Sequence, residues 1–446
     1  MQTISVLSEA LAAGKTTSRQ LVEDCLGRIA DPAGEGARAF IKVDAAGARA
    51  SADAMDLLRK VGRAPGPLAG IPFCVKDLAD IAGQPTPAGS KVLADAPPAK
   101  ATAPVVRRAM AAGLVVMGRT NMTEFAFSGL GINPHYGTPR APWDRATGRI
   151  PGGSSSGTGV AVADGMAYSG LGTDTGGSCR IPAAMCGIIG YKPTARRVPN
   201  TGILPLSTSL DSVGPLANSV ACCAAVDAVF AGLPLPDLQP LPLAGLRLAV
   251  PTNYMTDGLD PTVAETFDRA LATLAAAGAS IIHLAFPILA EIPRANAAGG
   301  LAAPEAWAWH RKLIATSADD YDPRVLTRIR GGEWMNTADY IDVINARADI
   351  ITRANLATSG YDALLMPTCP LLPPSIASLD DETEYGRVNQ LQLRNPAAGN
   401  FLDRCAISLP CHRLGEAPVG LMVMGETMGD AKLFAVAAAI EAAIPR

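Results

Sequence analysis

The sequence predicts a layered α/β fold with a largely parallel sheet, built as a single domain over residues 1–446. Three observations lead there. Short apolar runs of strand type alternate with helical patterns along most of the chain. Leu246–Val250, Pro261–Ala277 and Ser280–Leu284 read as strand, helix and strand, a βαβ unit that places its two strands in parallel. No internal repeat, linker or shift in composition divides the chain.

From the start of the chain, Ile4, Leu7 and Leu11 recur at helical spacing, and Leu21, Cys25 and Ile29 do so again beyond Gly14–Lys15, so a helical hairpin is expected over Thr3–Ile29. Ile71–Val75 reads as a strand ending in the polar pair Lys76–Asp77, Val105–Ala112 as a helix and Leu114–Gly118 as the next strand. Gly129–Gly159 is dense in Gly, Pro and Ser and reads as a long irregular loop, a kind of segment that usually carries function. Gly159–Ala167 then suits a tightly packed helix, Tyr168–Gly172 a strand, and Thr173–Ile181 a second Gly/Ser turn. Beyond the βαβ unit, helices are expected at Pro304–Thr316, Ala338–Ser359 and Lys432–Ile444, and strands at Tyr361–Pro367, Ala406–Pro410 and Val419–Met424.

Composition narrows the function. Hydrophobic residues make up 48% of 446, ample for a large core, and 38 basic against 41 acidic residues give no electrostatic reason to expect a nucleic acid or an anionic membrane as partner. No apolar stretch reaches the ~18 residues needed to cross a bilayer. Met1–Gln20 holds no apolar run of signal-peptide type, and the nine cysteines include no C-x-x-C pair. The expectation is a soluble, cytoplasmic protein with reduced, buried thiols.

Three polar residues sit where the backbone is unusually permissive. Ser154 follows Gly152–Gly153 in PGGSSSG, Ser178 follows Gly176–Gly177 in GTDTGGSCRIPA, and Lys76 closes the strand-like IPFCVKD. A glycine pair before a serine lets the chain aim several N–H groups at one point, which is what charge developing on a carbonyl oxygen requires. Taken singly, each turn also reads as an ordinary loop, and the lysine as a solvated charge. PGGSSSGTG lacks the G-K-[ST] of a phosphate loop, and neither turn supplies G-x-G-x-x-G. His135, His283, His310 and His412 share no helix face and form no H-E-x-x-H, so neither a metal nor another cofactor is expected; a Ser–His–Asp triad with one of them stays open.

Together these segments resemble the amidase signature family. GRTNMTEFAFSG, YGTPRAPWD, GRIPGGSSSG, LGTDTGGSCRIPAAMCGIIGYKPT and SLDSVGPLANSV carry the likeness, and PVGLMVMG and the opening helices extend it to nearly the whole chain. The resemblance implies a three-layer α/β/α sandwich around a large, mostly parallel mixed twisted sheet. It implies Ser178 as nucleophile, Ser154 (after a cis peptide bond) and Lys76 as proton relay, and the N–H groups of Thr175, Gly176, Gly177 and Ser178 as oxyanion hole. One departure is Ser156, which stands where the family often has glycine.

Asp174 and Arg180, flanking the nucleophile turn, are expected to fix its shape. Less regular segments, Asn133–Arg140 and Glu305–Met335, are expected to wall the pocket, with Trp307, Trp309, His310 and Trp334 of the latter read as core. The function implied is hydrolysis of a small carboxylic amide to carboxylate and ammonia or amine, by a homodimer with a small-molecule amide as its ligand. The alternative is the glutaminase subunit of a tRNA-dependent amidotransferase. Ala195–Leu206, ARRVPNTGILPL, looks more like the free amidases.

Overall fold

In the computed structural model, which describes residues 2–445, eleven strands join one sheet. They are β1 (Phe40–Val43), β2 (Pro72–Lys76), β3 (Val115–Thr120), β4 (Ser169–Asp174), β5 (Ile189–Lys192), β6 (Ser212–Ala217), β7 (Arg247–Pro251), β8 (Ser280–Leu284), β9 (Ala363–Pro367), β10 (Ala406–Pro410) and β11 (Gly420–Met424). Their spatial order is β1-β3-β2-β4-β6-β5-β10-β11-β9-β7-β8, and helices flank the sheet. An α/β architecture around one large mixed sheet is therefore what forms.

The direction of each pairing follows the connection that makes it. β3-β2-β4 and β9-β7-β8 are parallel sets. Their crossovers carry helices, Pro104–Ala111, Ser156–Ala163 and Pro261–Ala276 among them, as parallel neighbours require. Between these sets β6, β5, β10 and β11 pair antiparallel. β10 and β11 need only the short Cys411–Val419 connection. β2, β4, β6, β9, β10 and β11 are buried at every position, as strands covered on both faces are, so they read as continuous apolar or small-residue runs without alternation.

Several elements differ from the sequence reading. Ile4–Ala12 and Ser18–Ala30 are both helical, but they do not form the expected hairpin. Ser18–Ala30 packs on a helix at Ala45–Lys60, whose buried residues are only Ala48 and Ala52, too small to make a visible stripe. Ile4–Ala12 buries Ile4, Leu7 and Leu11, and its Ile4 N–H donates to Cys222 Sγ near the start of the Val220–Ala231 helix. The helix expected over Gly159–Ala167 runs Ser156–Ala163, so it begins inside the serine triplet. A twenty-residue helix, Glu382–Phe401, has no counterpart among the expected elements; it contains Pro396 and gives a weakly periodic pattern. All nine cysteines are free and buried. Among the described residues no helix is long and apolar enough to cross a membrane.

Candidate active site

β2 and β4 are parallel neighbours, so their carboxyl ends open on the same edge of the sheet, where α/β folds place their ligands. Lys76 ends β2, and the Thr175–Cys179 turn follows the end of β4. The Gly152–Ser155 loop leads into the Ser156–Ala163 helix and lies against both. Its Gly153 N–H donates to Gly129 O at 2.8 Å, Thr123 N–H donates to Ser154 O at 3.1 Å, and Ser155 N–H donates to Ser178 O at 3.3 Å. The Gly153–Ser154 peptide bond is cis. A Cβ at Gly153 would stand 2.5 Å from Gly131 N, so the close approach of these two loops requires glycine there.

Lys76 is completely buried, and its Nζ donates to Ser154 Oγ and to Thr173 Oγ1, each at 2.8 Å. Its direct partners are thus hydroxyls, not carboxylates. Burial pushes the ammonium down from 10.5 to about 7, against the opposing pull of Cys179, Asp174 and Asp211 nearby. Thr173 is not among the residues the sequence points to, since nothing local distinguishes a threonine within a buried strand.

Asp174 organises the turn that carries Ser178. Its Oδ1 accepts from Gly177 N–H at 2.8 Å and from Arg180 Nη2 at 2.8 Å; its Oδ2 accepts from Cys179 N–H at 3.1 Å and Arg180 Nε at 3.0 Å. Asn400 closes the cluster, accepting from Arg180 Nη2 and donating to the Asp174 carboxylate. Burial works against ionisation of Asp174, but the Arg180 and Lys192 charges and these bonds outweigh it and lower the carboxyl from 3.8 to about 2. Beside the turn, Thr175 Oγ1 donates to Asp211 Oδ1 at 2.5 Å, and burial raises that carboxyl from 3.8 to about 6. Asp211 lies in the SLDSVGPLANSV segment, but its tie to Thr175 spans 36 residues.

The Gly177 N–H is therefore already engaged, whereas those of Thr175, Gly176 and Ser178 have no hydrogen-bond partner among the described residues. Ser178 and Gly176 open on a cavity of about 210 Å³ with a mainly apolar lining. Phe127, Thr175 and Leu393 connect it to an outer vestibule of about 540 Å³. The pocket walls differ from expectation. Arg328, in the helix Pro323–Arg330, lines the inner cavity, so part of Glu305–Met335 contributes, though as helix and not as irregular chain. The Asn133–Arg140 segment lines neither space. His310 is buried core, with its pKa lowered to about 4 by burial, but Trp334 is 84% exposed. Among the described residues no three His, Cys, Asp or Glu side chains converge to hold a metal ion.

The sequence profile of a family described as Amidase matches residues 20–434. The chain is 39% identical over 411 residues to 2-amino-5-chloromuconic acid deaminase of Comamonas testosteroni, covering 90% of this chain and 87% of the relative. It is 34% identical to a glutamyl-tRNA(Gln) amidotransferase subunit of Chloroflexus aggregans, covering 97% and 94% of the two chains. A crystal structure described as an amidase superposes with a TM-score of 0.89 at 32% identity, covering 99% of this chain and all of the other.

Proposed function

Because this chain belongs to the amidase family and is an enzyme that hydrolyses amide C–N bonds, we propose that it does so on a small carboxylic amide through a Ser178 acyl-enzyme, with Ser154 and Lys76 as the proton relay. The observation that carries this reading is Lys76: a buried amine, lowered to about 7, bonded to the hydroxyl of Ser154 next to the turn of Ser178.

Neutral Lys76 takes the Ser154 proton while Ser154 takes the proton of Ser178, whose Oγ attacks the carbonyl carbon. The carbonyl π electrons move to oxygen, and the N–H groups of Thr175, Gly176 and Ser178 stabilise the oxyanion; each such donor contributes about 3 kcal/mol to lowering the barrier. Gly177 serves differently from the sequence expectation, since its N–H is given to Asp174 and shapes the turn. As the C–N bond breaks, the relay returns the proton to the departing nitrogen. Water then attacks the acyl ester by the same path and releases carboxylate and Ser178.

Ser178→Ala should remove ammonia release while leaving the far-ultraviolet dichroism unchanged. Hydroxylamine added to the wild-type reaction should trap the acyl group as a hydroxamate. Activity retained in Ser178→Ala refutes the assignment. The glutaminase reading is favoured by the likeness to the amidotransferase relative over almost the full chain. Ammonia release from simple amides by the isolated chain, without ATP or partner proteins, selects the free amidase. The expected homodimer is checked by sedimentation.

A further inference from the structure

A further cavity, of about 250 Å³, lies between the Ala45–Lys60 helix and β3, and it shares no lining residue with the two spaces beside Ser178. Met55, Met110, Leu114 and Val116 give it apolar walls. Two polar side chains in its lining carry buried atoms with no hydrogen-bond partner among the described residues: Arg119 Nη1, a donor, and Gln84 Oε1, an acceptor. Buried polar groups are ordinarily paired, so two orphans of opposite kind in one cavity mark a place for a ligand that supplies both partners.

Both groups are held in position. Arg119 is only 2% exposed; its Nε donates to Asp77 Oδ1 at 2.6 Å and its Nη2 to Asp77 O at 3.0 Å, which leaves Nη1 as the free prong. Gln84 N–H donates to Ile81 O at 3.0 Å, and Ala99 N–H donates to Gln84 O at 2.8 Å, so the turn that carries the amide is tied down. The lining asks for no net charge. Asp77 balances Arg119, while Lys42 and Asp44 offset each other. Asp44 is engaged besides in capping the helix, accepting from Gly47 N–H at 3.0 Å.

We propose that this cavity is a second ligand site, which takes a small, uncharged primary amide. Its carbonyl oxygen accepts from Arg119 Nη1, its NH2 group donates to Gln84 Oε1, and its aliphatic chain lies against Met55 and Met110. An ionised acid offers acceptors alone and would set a lone pair against Gln84 Oε1; a ketone leaves that oxygen unpaired. The volume is the liquid share of about eight water molecules, which limits the chain to a few carbons. The ligand is thus of the class the enzyme hydrolyses, held at a site joined to Lys76 through Arg119 and Asp77. The inference does not depend on which serine attacks.

The test is methyl NMR of Ser178→Ala protein with methyl-labelled methionine. Met55 and Met110 line this cavity, and no methionine among the described residues lines either space beside Ser178. Met55→Leu and Met110→Leu assign the two signals. Butyramide should shift both saturably, with a Kd of about 1 mM for so small a ligand. Methyl propyl ketone, which has a methyl where butyramide has its NH2, should bind about tenfold more weakly, because it leaves Gln84 Oε1 buried and unpaired. Gln84→Leu should erase that ratio, and Ala54→Phe, placed on the exposed lining of the helix, should abolish the shifts. Dichroism checks the folding of each variant, and the preference for amide over ketone in the Ser178→Ala parent is decisive even where a second substitution fails to fold. No saturable shift up to about 100 mM butyramide, which means that water alone fills the cavity, overturns the site. So does butyrate or the ketone binding as tightly as the amide, or a shift that survives Ala54→Phe. Failure of the nucleophile reading appears separately, as ammonia released by the Ser178→Ala protein.

Discussion

Removing the amine of Lys76 tests chemistry and stability at once. With Lys76 lowered from 10.5 to about 7, about half of the molecules carry the neutral amine at pH 7; an unshifted lysine would supply only about 0.03%. The rate constant kcat/KM for ammonia release should therefore rise through about pH 7 and then level off. The stability effect has a definite sign. The folded-state value lies below that of the unfolded chain, so the amine destabilises the fold fully below about pH 7, and the cost fades as pH climbs from about 7 to 10.5. That displacement is worth about 5 kcal/mol. Lys76→Met removes it but deprives Ser154 and Thr173 of hydrogen bonds worth about 1 kcal/mol each. The inactive variant should then be more stable by about 3 kcal/mol at pH 6, with a melting temperature several degrees higher and an advantage that vanishes near pH 9. Other groups titrate in or near this range, Lys192 at about 8 and Asp227 at about 7 among them, so Lys192→Met and Asp227→Asn join the controls. Asp211 titrates at about 6, so Asp211→Asn should leave the limb near 7 in place; His310, lowered to about 4, is already neutral there. Glutamine substitutions of all four histidines complete the control. A limb that persists in Lys76→Met or disappears with one histidine, or a Lys76→Met protein less stable than wild type at pH 6, refutes the reasoning.

Three further outcomes follow from the geometry. Members of one relay act as a unit, so Lys76→Ala combined with Ser154→Ala should lower kcat little more than the worse single change; additive losses would uncouple the pair. Asp174→Asn leaves the buried Arg180 without its counter-charge and should cost about 3–5 kcal/mol in urea unfolding, along with activity; near-wild-type stability would contradict the role given to this cluster. A Cβ at Gly177 would lie 2.6 Å from Pro396 Cβ at φ +127°, whereas one at Gly176 would meet nothing closer than 3.5 Å. Gly177→Ala should therefore lower the melting temperature sharply and Gly176→Ala hardly at all, and equal effects would argue against the turn as described.

What the sequence disclosed about this site was whatever is local. Lys76 ends a compact apolar run, and each serine follows a glycine pair, so the backbone chemistry that exposes them is written within a few residues. β8 and β10 coincide with the expected strands to the residue, because β-branched and apolar runs bounded by Gly, Pro or Cys mark strands of that length. The rest of the site is assembled from distant chain. Asn400 reaches Asp174 across 226 residues, and Arg328 reaches Phe127 across 201. An arginine in an amphipathic helix looks like a solvated charge until the fold shows which wall it joins. The Ala45–Lys60 helix is hard to read for the opposite reason: its fully buried residues are Ala48 and Ala52, which pack closely but bring little apolar bulk to the pattern.

The same burial that hides these partners also assigns charge at the site. Lys76, Arg180 and Lys192 are all buried near Asp174, yet they do not share its charge equally. Arg180 takes the carboxylate in a two-pronged pair whose remaining positions are filled by Asn400 and the turn N–H groups. Lys192 donates to a carbonyl, Pro193 O, and burial lowers it to about 8. Lys76 is left with hydroxyls alone and falls further, to about 7. One carboxylate, committed to a guanidinium that cannot give up its proton, thus leaves the neighbouring amine as the group most easily deprotonated. A carboxylate bonded directly to Lys76 would hold its proton in place, and the proposed relay to Ser154 would have no base.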